Sequence, residues 1–314
     1  MKLGFLYAGQ GSQHAGMGAD LYEQYPAFRA VMDSAEVDFD LKKVSFEDPD
    51  GIINQTRYTQ PCMVAFAAGL TAVLREKGIV PAVAAGLSLG EYSALQCAGV
   101  FTAAQAVSLA AFRGRAMASA AAGRPCGMTA VLGLDRDKLR AACEEAASEG
   151  VVEIANYNCP GQLVIGGEQA AVEKAAALAK EKGARRCLPL KVSGPFHTPL
   201  MAPAGDALRD YFQGVEFAEP QIPVIFNCLG DVKDDSVTIQ ELLVKQVQSS
   251  VFMEDSIRRM ADMGVDAILE IGPGKALSGF VKKTVPGMPV CAVETVADVE
   301  NLPQTLDELM KEKV

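Results

Sequence analysis

Histidine is scarce in this chain: of 314 residues only His14 and His197 carry an imidazole. Any proton transfer by an imidazole near neutrality must use one of these two. Paired cysteine motifs are also missing. The eight cysteines (62, 97, 126, 143, 159, 187, 228 and 291) are scattered, mostly beside apolar residues, with no CxxC spacing. That excludes a zinc site of ordinary spacing and speaks against a disulfide framework. The cysteines read as small core residues of a reduced, cytoplasmic protein. Basic charge is in deficit, 29 Lys and Arg against 39 Asp and Glu, a net charge of −10. Nucleic acid and anionic membrane surfaces are thereby poor partners, since both call for basic stripes. No apolar run approaches the ~20 residues that span a bilayer. The opening MKLGFLYAGQGSQ has one lysine and too short an apolar run for a signal peptide. Internal repeats and low-complexity tracts are absent.

What is present is ample apolar material, 49% against 22% charged residues, enough for one large domain or for a domain with a second inserted. A β-like run over 2–8 is broken by GQGSQ, and helical patterns follow over 20–35 and 60–77. The second of these places Pro61 in a first turn. A strand is predicted over 82–86, helices over 89–98 and 102–121, and the alternation implies a parallel sheet covered on both faces. The middle changes character: strand 127–132, helix 135–148, strands 151–156 and 162–165, helix 168–182, strand 185–190. That βαββαβ order is the ferredoxin-like module. The α/β pattern then resumes, with strands at 224–227 and 267–271 and helices at 238–248 and 254–263. The expectation is a large α/β subdomain formed by 1–123 and 192–314, interrupted by a small inserted subdomain at 124–191.

Between the strand at 82–86 and the following helix stands GLSLG, residues 86–90. Gly-x-Ser-x-Gly in that setting is a nucleophile elbow: the glycines allow close backbone approach, and the helix start offers N–H groups to an oxyanion. Ser88 is thus the candidate nucleophile, with a packing or capping serine as the plain alternative. Its base would be His197, in VSGPFH at 192–197, rather than His14, whose place in GQGSQHAGMG is explained by solvent exposure. No Asp or Glu stands out as a third member, so a Ser–His dyad oriented by a backbone carbonyl and a full triad both stay open. In the helix over 102–121, Ala106, Leu109, Ala110, Arg113 and Met117 recur at three- and four-residue spacing. A guanidinium in that apolar stripe needs an anion, either an internal carboxylate or a ligand in a cleft. Arg115 points roughly the other way.

The blocks GQGSQ (9–13), GLSLGEYSAL (86–95), FRGRAM (112–117), NYNCPGQ (156–162), VSGPFH (192–197) and EIGPG (270–274) together cover nearly the whole chain. In that order they resemble the malonyl-CoA:acyl carrier protein transacylase family of type II fatty acid synthesis. The resemblance implies an α/β-hydrolase-like large subdomain with an inserted ferredoxin-like one. It implies Ser88 as the serine that takes the malonyl group and His197 as general base. It implies the main-chain N–H groups of Gln10 and Leu89 as the oxyanion hole, and Arg113 as the partner of the malonyl carboxylate. Malonyl-CoA and acyl carrier protein would be the substrates, with no cofactor or metal, and the chain a monomer. A basic patch of Lys182, Arg185, Arg186 and Lys191 could receive the acidic carrier protein, although helix-end charge explains it equally. Two positions depart from the family pattern. Leu87 stands where many members have histidine. In VQSSVFMED (247–255), whose backbone is expected to orient His197, Ser250 replaces proline and Phe252 glutamine. Rival readings are a serine esterase or thioesterase, a polyketide acyltransferase, and an inactive carrier-protein-binding module. Arg113 and the inserted module favour transfer over hydrolysis, and Phe196 beside His197 favours malonyl over a branched unit.

Overall fold

A computed structural model describes residues 1–312. The chain divides into two compact units. One comprises Met1–Gly114, Phe217–Phe226 and the residues from Ile257 onward; the other comprises Arg115–Glu216 and Asn227–Ser256.

The first unit is built on four parallel strands in the order Val290–Val293, Ala267–Ile271, Leu3–Tyr7, Pro81–Gly86. Tyr7 pairs with Ile271 on one side and Gly86 on the other, so these three strands end level. The central strands are buried throughout, as a parallel sheet covered on both faces requires. Functional loops of such sheets gather beyond the carboxyl ends of the strands, and here those loops begin at Ala8, Leu87, Gly272 and Glu294. The helix predicted over 20–35 is two helices, Ala19–Gln24 and Pro26–Asp33. Pro26 forces Tyr25 into extended backbone (φ −114°, ψ 115°) and so breaks the run. The helix predicted to start near 60 instead spans Thr56–Glu76 with Pro61 inside it. Near a helix start, a missing N–H removes only one backbone bond, which the deeply buried helix tolerates.

In the second unit the middle segment forms Cys126–Leu132, helix Arg136–Ala146, Val152–Cys159, Gln162–Glu168, helix Gln169–Glu181 and Arg186–Pro189. Its sheet runs Arg186–Pro189, Cys126–Leu132, Gln162–Glu168, Val152–Cys159, all antiparallel. Val251–Phe252 adds a fifth, parallel strand. Val131, Leu139, Leu163, Ile165, Ala171 and Ala175 form its core. The fifth strand accounts for the unusual residues of its segment. The Ser250 hydroxyl donates to the Ile154 carbonyl at 2.7 Å, and Phe252 stacks on Tyr157 with ring centroids 5.0 Å apart. Elements with weak patterning, among them strand Val290–Val293 and helices Ala202–Phe212 and Ala276–Thr284, have no counterpart in the sequence-based expectation. No helix among the described residues is long and apolar enough to cross a membrane.

Candidate active site

In the first unit, strand Pro81–Gly86 gives way to helix Gly90–Cys97 through Leu87, Ser88 and Leu89. The turn is tight because three backbones meet there. The Leu87 N–H donates to the Tyr7 carbonyl at 3.0 Å and the Gly90 N–H to the Leu87 carbonyl at 2.9 Å. A β-carbon on Gly86 would strike the Gly90 carbonyl, and one on Gly90 would strike that of Tyr7. Both glycines are therefore required for close approach. The left-handed backbone falls on Ser88 itself, at φ 51°. For a non-glycine residue this costs about 1–2 kcal/mol, the kind of strain that collects at functional positions.

Leu89 caps the following helix. Among the described residues no protein acceptor takes the main-chain N–H of Leu89 or of Gln10. Gln10 follows strand Leu3–Tyr7 in the glycine-rich loop. Its neighbour Gly9 lies so close to the Leu87 carbonyl that a β-carbon there would collide. The serine turn and the glutamine loop are thus in direct contact.

Helix Ala103–Ala121 carries Arg113, and the predicted stripe is real: Ala106, Leu109, Ala110, Arg113 and Met117 are all buried, Arg113 to 1% exposure. Arg115 is exposed. The Arg113 Nη2 donates to Ser88 Oγ at 3.2 Å and Nη1 donates to Gln60 Oε1 at 3.0 Å, while the guanidinium sits over the Tyr92 ring at 5.4 Å. Burial pulls the guanidinium below its ordinary pKa, and Tyr92 and Glu91 act against that pull. Gln60 was not singled out by its sequence. Its Nε2 donates to Gln10 Oε1 at 3.4 Å, and Gln10 Nε2 donates to the Thr56 hydroxyl at 3.1 Å. A chain of amides thereby links the arginine to the loop of Gln10.

In the second unit, His197 is 3% exposed and left-handed, at φ 62°. Its Nδ1 lies 2.8 Å from the Gln246 carbonyl. A carbonyl only accepts, so Nδ1 carries a proton; in the neutral ring the lone pair is then on Nε2, the tautomer a general base needs. Gln246 ends helix Ile239–Gln246, whose last carbonyls have no intrahelical partner and carry the negative end of the helix dipole. The orienting carbonyl thus lies one residue before the segment 247–255 to which the sequence assigned that task. Val247 accepts from the His197 N–H at 3.3 Å instead.

The basic residues 182–191 lie at the edge of the antiparallel sheet. Lys182 is ion-paired with Glu145, whereas Arg185, Arg186 and Lys191 are exposed beside Leu188 (46% exposed) and Leu190. His14 is half-exposed and paired with Glu294. All eight cysteines are free, and burial pushes the thiols of Cys62 and Cys143 up to about 12. Among the described residues no group of three or more His, Cys, Asp or Glu is placed to hold a metal ion.

A serine on a strand-to-helix elbow, two unclaimed N–H donors and a buried guanidinium on an α/β scaffold are equipment suited to acyl transfer. The acyl transferase domain model matches residues 4–306. The malonyl CoA-acyl carrier protein transacylase of Bacillus subtilis (strain 168) is 41% identical over 98% of both chains. Among solved structures, an acyl carrier protein S-malonyltransferase from Vibrio cholerae is 41% identical with a TM-score of 0.93, covering 96% of this chain and 100% of the other. A malonyl-transacylase solved in complex with its type II PKS acyl-carrier protein is 36% identical with a TM-score of 0.91, covering 99% of this chain and 100% of that one. The chain belongs to the acyl transferase family and, within it, to the malonyl CoA-acyl carrier protein transacylases.

Proposed function

We propose that this protein moves the malonyl group from malonyl-CoA to the phosphopantetheine thiol of acyl carrier protein through a malonyl ester on Ser88. The observation that carries this reading is the 3.2 Å hydrogen bond from the buried Arg113 guanidinium to Ser88 Oγ. An alcohol that shares its site with a carboxylate-binding fork suits an acyl group ending in a free carboxylate. A plain esterase has no use for that cation.

His197 Nε2 removes the Ser88 proton as Oγ attacks the thioester carbonyl. The negative oxygen is held by the N–H groups of Gln10 and Leu89, and Arg113 grips the distal carboxylate. Collapse breaks the carbon–sulfur bond, and the proton on His197 passes to the departing CoA thiol. The pantetheine thiol of the carrier protein then gives its proton to His197 and attacks the ester, and Ser88 recovers a proton as it leaves. Only an acyl group and protons move, so these steps call for no redox cofactor or metal. Two half-reactions through a covalent enzyme give ping-pong kinetics.

The carrier protein is acidic, and its landing site is assigned to Arg185, Arg186 and Lys191 with the exposed Leu188 and Leu190. Lys182 contributes less because Glu145 already partners it. The protein acts as a cytoplasmic monomer. The parallel-sheet unit is α/β-hydrolase-like, and the βαββαβ segment within residues 124–191 is an inserted ferredoxin-like module; the compact second unit extends beyond the expected bounds, to Arg115–Glu216 and Asn227–Ser256. The antiparallel strand order of the middle segment supports the second assignment.

Intact-mass measurement after brief exposure to malonyl-CoA tests the reading. Wild type gains one malonyl unit, Ser88→Ala gains none, and added thiol acceptor removes the label faster than water does. A label that persists in Ser88→Ala, or that water removes as fast as thiol, refutes it.

A further inference from the structure

We propose that His14 is a positioning residue, whose imidazolium clasps Glu294 and so holds the loop of Gln10 against the neighbouring strand end. This rests on the reading of the Gln10 N–H as an oxyanion donor.

The loop over residues 9–18 is soft by composition, with Gly11, Gly16 and Gly18 all in left-handed backbone. One flank is anchored to the helix Thr56–Glu76, where the Gln10 amide donates to Thr56 and accepts from Gln60. Gln13 Nε2 donates to Asn54 Oδ1 at 2.8 Å, and the Gly16 N–H donates to the Ser45 carbonyl at 2.9 Å. On the remaining side stands His14. Its Nε2 lies 2.5 Å from Glu294 Oε1, and its Nδ1 lies 2.9 Å from the carbonyl of Ala15. The second oxygen of Glu294 accepts from the Gly274 N–H at 2.9 Å. Glu294 follows strand Val290–Val293 and Gly274 follows strand Ala267–Ile271, so one carboxylate joins the Gln10 loop to two strand ends of the parallel sheet. Ser12 lies alongside this junction, with its β-carbon 3.6 Å from the place a β-carbon on Gly274 would occupy.

Both ring nitrogens of His14 therefore face oxygen acceptors. Only the imidazolium can donate to both; either neutral tautomer leaves a lone pair against an oxygen. The Ala15 carbonyl and then the Glu294 carboxylate raise His14 above the ordinary imidazole value, with burial opposing them. The surrounding charges are those of Glu294 itself, of Glu270, which feels Glu294, and of Asp298 and Asp20. Asp298 accepts from the Glu294 N–H, and Asp20 accepts from that of Val296. Lys275 and Asp298 line one groove at this edge. A pKa raised on folding means the clasp is complete below the ordinary imidazole value and is lost as pH rises through the raised one. His14 is half-exposed, so it answers directly to solvent pH.

The experiment uses the full chain and two readouts. Because the chain has two histidines, the ring C–H resonance of His14 is assigned by its loss in His14→Gln, and its titration is followed by NMR. The rate at which Ser88 takes the malonyl group from malonyl-CoA is measured by quench and intact mass across the same pH range. The expected result is a His14 midpoint above the ordinary value that returns toward it in Glu294→Gln. In His14→Gln, acylation should be slowed about two- to fivefold below the midpoint and converge on wild type above it. His14→Arg, a cation that does not titrate here, should lack the alkaline change. A His14 that titrates at the ordinary value, or His14→Gln matching wild type at every pH while Ser88 is still malonylated, overturns this inference alone. A wild-type chain that takes no malonyl group overturns it together with the functional reading.

Discussion

Thr56 and Gln60 lie one helical turn apart and hold the same partner from two sides: the Gln10 amide donates to Thr56 and accepts from Gln60. Gln60 then has its oxygen left for Arg113, at 3.0 Å. Its amide orientation is fixed by that division of labour. On the role proposed for Arg113, Gln60→Glu places a carboxylate on the guanidinium that would receive the substrate carboxylate. Steady-state kinetics should show KM for malonyl-CoA rising about ten- to hundredfold with a smaller change in kcat, the range expected when a hydrogen bond to a charged group is redirected. An unchanged KM would remove Gln60 from substrate binding.

Arg113 should separate malonyl from acetyl. Arg113→Ala is expected to slow Ser88 malonylation by about 10²–10³ while acetyl transfer from acetyl-CoA changes less than about tenfold. Arg113→Lys should fall between, because an ammonium cannot reproduce the fork. Equal losses for the two acyl groups would show the arginine to be structural.

Ser88→Gly trades chemistry for relaxation. Relief of the left-handed strain at φ 51° should stabilise the fold by about 1 kcal/mol. That corresponds to a Tm increase of about 2 °C for a chain of this size. Calorimetry on an inactive Ser88→Gly variant with no gain in Tm would show that the turn is not strained.

The thiols offer a pH test. Cys62 and Cys143 are raised to about 12 by burial, so at pH 8 only about one in ten thousand is thiolate. Native protein should leave both unmodified by iodoacetamide over an hour, while unfolding in guanidinium exposes them fully. Peptide mass mapping reads both states.

Much of this site was legible because its residues interrupt a pattern. Arg113 is a charge inside an apolar helical stripe, and Ser88 stands between two glycines where a strand turns into a helix. The βαββαβ order was readable from alternating periods in the middle segment. Gln60 escaped notice because a neutral amide beside Pro61 looks like a helix start; its meaning comes from partners distant in the chain. The orienting carbonyl of Gln246 was missed by one residue for a different reason. A main-chain oxygen has no letter of its own, and Ser250 and Phe252 obscured the family pattern around it. Those two residues turn out to serve the small sheet, through the Ile154 carbonyl and the Tyr157 ring.

Within the second unit, the short stretch from Gln246 to Phe252 has one end on the imidazole and the other sewn into the sheet as its outermost, parallel strand. The imidazole is therefore coupled to the last strand of the small sheet, through a stretch whose Val247 and Val251 are fully buried. Unzipping that strand would free the carbonyl that holds Nδ1, so a change at Phe252 should be felt at the imidazole before it is felt elsewhere in the sheet.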